Sequence, residues 1–94
     1  MKLDFNKEIN GLDGAPMLGT NLGKSIASAM ASQTKGDALK FWDWSLKMFN
    51  GTPIDLDVSD QGTLKEFIKN SDQLSVAVKA QALEVFEKTK ETEK

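Results

Sequence analysis

A chain of 94 residues with 39% hydrophobic and 28% charged side chains has the make-up of one small globular domain, not of a disordered segment. It contains no cysteine and no histidine, which excludes disulfides, thiolate metal sites and imidazole bases. All 12 basic residues are lysine and the net charge is −2, so the arginine forks and basic surface expected of a nucleic-acid binder are missing.

Taken in chain order, Leu3, Phe5 and Ile9 share one side of an alternating pattern, and Asp13-Gly14 is a tight-turn pair. These predict an N-terminal β-hairpin over 3–18, with strands near 3–10 and 15–18. Pro16 lacks a ladder donor and confines the second strand to an edge. Thr20 or Asn21 then caps a helix over 21–34, with Leu22, Ile26, Ala29 and Met30 on its apolar face. Asp37 caps a second helix over 37–49, which Asn50-Gly51 stops. Thr52-Pro53 opens an extended linker with Ile54 and Leu56 inward. Ser59 or Asp60 starts a third helix over 60–69, and a fourth covers 72–89, burying Leu74, Val78, Ala82, Val85 and Phe86. Residues 90–94 read as a charged, frayed tail. The expected fold is therefore mostly helical α+β, a hairpin packed on about four helices.

Two stretches imitate ligand sites. Gly19-Thr-Asn-Leu-Gly-Lys-Ser25 ends like a phosphate loop, but that loop needs a glycine five residues before Gly23, and Leu18 stands there. The stretch reads better as a helix start, with Lys24 directed to water. Asp55, Asp57, Ser59 and Glu66 match positions 1, 3, 5 and 12 of a calcium loop, yet Asp60 replaces the turning glycine at position 6. A helix start rich in acids accounts for them more simply. Neither a metal nor an organic cofactor is expected. Without histidine, a serine nucleophile would need lysine as its base, and the adjacent Lys24-Ser25 point apart on a helix. The sequence therefore predicts no enzyme.

The second helix carries the most information. At about 100° per residue, Ala38, Leu39, Trp42, Leu46 and Phe49 form one arc, and Phe41, Trp44 and Met48 form another beside it. Together they cover about twice the usual apolar stripe of about 100°. Either this helix is central and covered on both sides, or one arc docks another protein or a second copy. Phe41, Trp44 and Met48 are the candidate interface. Which of Trp42 and Trp44 is exposed stays open.

Lys2-Leu-Asp-Phe5, Leu12-Asp-Gly-Ala-Pro16, Thr34-Lys-Gly-Asp-Ala-Leu-Lys40, Ile54-Asp-Leu-Asp-Val-Ser-Asp60 and Lys79-Ala-Gln-Ala-Leu-Glu84 occur in an order that resembles small uncharacterised proteins of tailed bacteriophages and prophages. The resemblance spans nearly the whole chain and implies a non-enzymatic product used in virion or tail assembly or directed at the host. The resulting expectation is a protein–protein interaction module, an assembly factor or adaptor, with a nucleic-acid-associated regulator as the alternative and a nucleotide-binding enzyme as the remote one. Its partner would be another protein or itself, with no membrane, no small-molecule ligand and no nucleic acid indicated. No apolar run approaches the roughly 18 residues of a membrane span. The expected location is the cytoplasm of a bacterial host cell, or the virion.

Overall fold

The computed structural model describes residues 1–92. The fold is mostly helical α+β. In chain order it runs β1 (Lys2–Leu3), α1 (Leu22–Ala31), α2 (Ala38–Phe49), β2 (Ile54–Asp55), α3 (Val58–Asn70) and α4 (Val76–Thr92).

Helix starts follow cap chemistry throughout. The side chain of Asn21 accepts from the Lys24 amide, Asp37 from the Lys40 amide and Asp57 from the Asp60 amide. Each satisfies a first-turn donor that has no partner inside its helix. At the other end of α2, Asn50 is the C-cap and Gly51 follows with φ +75°, the left-handed residue that closes a helix. Asp57, not Ser59 or Asp60, begins α3, because its carboxylate reaches the amide three residues on. Helix α4 begins at Val76, four residues later than expected, because Asp72–Ser75 form a turn in which Ser75 Oγ accepts from the Val78 amide. Helix α1 stops at Ala31, short of position 34. At the far end, α4 continues through Lys90 to Thr92, so the expected tail is helical as far as it is described, and 93–94 lie outside the described residues.

The strands pair differently from the expected ladder. The two-stranded sheet is antiparallel and joins β1 to β2, with Lys2 opposite Asp55 and Leu3 opposite Ile54. The Asp13-Gly14 reversal does form: the Gly11 amide donates to Ala15 O at 2.9 Å and the Met17 amide to Ile9 O at 2.9 Å. It extends no further than one bridge, Asn10 to Pro16. Leu3 and its partner Ile54 are both buried in the core, whereas residues 12–19 are exposed and pack against neither.

Instead of a ladder, the 4–20 segment is held by long-range bonds. The Gln81 side chain clamps Asn10, accepting from its amide at 2.8 Å and donating to its carbonyl at 2.9 Å. The Leu22 amide donates to Lys7 O, and Thr20 Oγ1 accepts from the Ile9 amide.

The core lies where the four helices meet the strands. Leu3, Leu22, Ile26, Met30, Ile54, Leu56, Leu64, Ile68 and Phe86 are fully buried in it. Phe5 and Phe86 meet edge to face, 6.0 Å between centroids. Val78, Ala82, Val85 and Phe86 form the buried stripe of α4 and Leu74, in the turn before it, is buried as well, while Val76 is exposed.

Candidate functional site

The face of α2 that turns inward is the one expected to dock a partner. Trp44 and Met48 are 5% and 2% exposed, and Phe41 is half-buried against the core. Phe41 lies 5.7 Å from the Trp44 ring and 6.1 Å from Phe67 of α3, so this arc knits α2 to α3. Phe41, Trp44 and Met48 are therefore not a free interface: Trp44 and Met48 belong to the core and Phe41 is half-buried against it. Gly36 allows the Phe41 position, since its φ is +102° and a Cβ there would meet the ring at 2.6 Å. Lys40 on α2 donates to Asp60 Oδ1 of α3 at 2.7 Å, fixing the same orientation from the polar side. That hydrogen bond, with the carboxylate charge, raises the Lys40 pKa above the ordinary lysine value.

The other arc faces outward. Leu39 is 85% exposed, Trp42 57%, Leu46 45% and Phe49 50%. This answers which tryptophan is exposed: it is Trp42. Beside the arc runs α1, whose Ala27, Ser28 and Ala31 floor an apolar groove of about 290 Å³ walled by Trp42, Leu46 and Phe49. Small residues on α1 and large ones on α2 produce this shape, because the two helices pack closely where Gly23 sits. Ser45 is buried at the same seam and satisfied within its own helix, donating to Phe41 O at 2.7 Å. Charges border the outer arc on both sides: Asp43 and Lys47 pair at 3.1 Å along α2 on the flank away from α1, and Lys24 Nζ stands 5.2 Å over the Phe49 ring.

The phosphate-loop imitation resolves into a helix junction. The amides of Leu22, Gly23, Lys24 and Ser25, which such a loop would turn toward phosphates, have acceptors in the chain: Lys7 O, Phe5 O, Asn21 Oδ1 and Asn21 O. Lys24 is exposed, as expected, although its ammonium lies over Phe49. A larger open cleft of about 930 Å³ lies alongside, between the serine side of α1 and the start of α4, lined by Ser25, Ser28, Ser32, Gln73 and Ser75.

The calcium-loop imitation is likewise used up structurally. Asp55 lies in β2 beside the Met1 amino group at 3.4 Å, Asp57 caps α3, and Asp60 holds Lys40. Among the described residues no three acidic side chains gather in a metal-ligating cluster, and no helix is long and apolar enough to cross a membrane.

Sequence reasoning missed the outer arc as the surface because both arcs are apolar. The charges did not rank them either, because Lys40, Asp43 and Lys47 lie together in the gap between the two arcs. No protein-family model matches the chain, and neither a curated protein nor a solved structure matches it.

Proposed function

We propose that the protein is a non-enzymatic protein–protein interaction module that docks through the outer face of α2 and the adjoining side of α1. One observation carries the reading: Leu39, Trp42, Leu46 and Phe49 stay uncovered on one helix face while the opposite arc already fills the core. Contiguous exposed aromatics of this kind mark interaction sites more often than chance exposure does. Scattered apolar side chains on a small protein need no explanation, but four on one face beside an apolar groove do. On the layout resemblance to tailed-phage and prophage proteins, the module serves as an assembly factor or adaptor, working in the bacterial cytoplasm or in the virion.

The test is a photo-crosslinking amino acid at position 42 in the native cell, with the same probe at exposed Glu87 as control. The reading expects a discrete adduct from position 42 and none from 87, abolished by Leu46→Asp in a chain that still folds. No adduct, or equal adducts from both positions, would overturn it.

A further inference from the structure

Resting on that docking face, we infer that its occupant is a second copy of this chain, bound about a two-fold axis that sets α2 antiparallel to α2. The outer residues fall at positions 39, 42, 46 and 49, the alternating three- and four-residue spacing of a helix–helix seam. A parallel pair would align like charges and like helix dipoles, whereas an antiparallel pair opposes them favourably.

Charge placement selects the same geometry. Asp43 and Lys47 lie on the flank of α2 away from α1, two residues either side of Ser45. A two-fold axis beside Ser45 and Leu46 brings each Asp43 to the level of the partner's Lys47, twice over by symmetry. The same axis sets each Leu46 near its equivalent and each Trp42 toward the partner's Phe49. The small residues Ser28 and Ala31 of both α1 helices then lie on the opposite flank, where the groove leaves room for the incoming aromatic rings.

Two half-exposed aromatics and two leucines offer roughly 500 Å² of apolar surface per copy, against about 800 Å² per partner in a standard stable interface. With its charged rim this suits a reversible, concentration-dependent dimer, not an obligate one.

Sedimentation equilibrium from about 10 µM to 1 mM tests the pairing. The wild-type chain is expected to move from monomer to dimer across that range. Asp43→Lys and Lys47→Asp should each weaken self-association about tenfold or more, because each sets like charges against each other across the axis. An equimolar mixture of the two should recover association as a heterodimer, since one chain then presents two lysines to the other's two aspartates. Circular dichroism confirms that both variants fold. A wild-type chain monomeric at 1 mM, or a mixture associating no better than its components, overturns the self-pairing. If the chain stays monomeric while the position-42 probe captures a different polypeptide, self-pairing fails and the interaction-module reading stands. If the probe captures nothing as well, both fail.

Discussion

Gly23 lies against the backbone of Met48 so closely that a Cβ at position 23 would come within 2.8 Å of the Met48 carbonyl oxygen. That contact joins the start of α1 to the end of α2, and it explains a glycine in the first turn of a helix, where glycine is otherwise a poor choice.

Two glycine substitutions should therefore move stability in opposite directions. Gly62, inside α3, has nothing within 4 Å of a Cβ, so Gly62→Ala should gain up to about 1 kcal/mol from helix propensity. Gly23→Ala meets backbone on two sides, Met48 O and Phe5 O, and should lose about 1–3 kcal/mol despite the same propensity gain. For a domain of this size that separates the two melting temperatures by about 10 °C or more. Equal shifts would mean that α1 can slide away from α2 without loss.

The two tryptophans should respond as different residues. Trp44→Ala removes a buried ring and should destabilise by about 3–5 kcal/mol, while Trp42→Ala should stay within about 1 kcal/mol. At low micromolar concentration, acrylamide should quench the Trp42 fluorescence that remains in Trp44→Phe far more than the Trp44 fluorescence that remains in Trp42→Phe. The reverse pattern would place the inner arc outside.

The Lys40–Asp60 link should depend on pH in one direction. Its hydrogen bond and charge raise the Lys40 pKa in the folded state, so the stabilisation is complete below the ordinary lysine value of about 10.4 and disappears as pH rises through the higher folded value. A double-mutant cycle of Lys40→Met and Asp60→Asn should show coupling at pH 7 that falls away as the pH is raised beyond the ordinary lysine range. Because the lysine side chain is 42% exposed, added salt should shrink the coupling at pH 7 as well. Coupling that persists unchanged at high pH would show that the pairing is not ionic.

Gln81 should matter for the N-terminal segment out of proportion to its position on α4. Its amide makes two bonds to the Asn10 backbone, so Gln81→Ala should cost about 1–2 kcal/mol and speed hydrogen exchange at the Asn10 amide. Exchange there should change while the buried amides of α1 keep their protection apart from the global loss. Unaltered exchange at Asn10 would mean that the reversal stands without its clamp.

Local chemistry in the sequence determined the four helices, the start of α1 and both ends of α2. Asn21, Asp37 and Gly51 act at short range on amides and carbonyls within a few residues, so their effect is visible without the rest of the chain. The inward faces of α1 and α4 were also legible, although α4 carries a second, weaker set of apolar residues, Val76, Ala80 and Leu83, away from its buried stripe. Two decisions belonged to tertiary structure. An alternating pattern marks Leu3 and Phe5 as extended and inward, but any apolar edge could complete the pair, and Ile54 does so from the other side of α2. Helix α2 has two apolar arcs of similar hydrophobicity, and no periodicity ranks one above the other. Phe67, Gly36 and the Lys40–Asp60 link, all brought up from other parts of the chain or its turns, draw in Phe41, Trp44 and Met48 and leave Trp42 and its neighbours facing water.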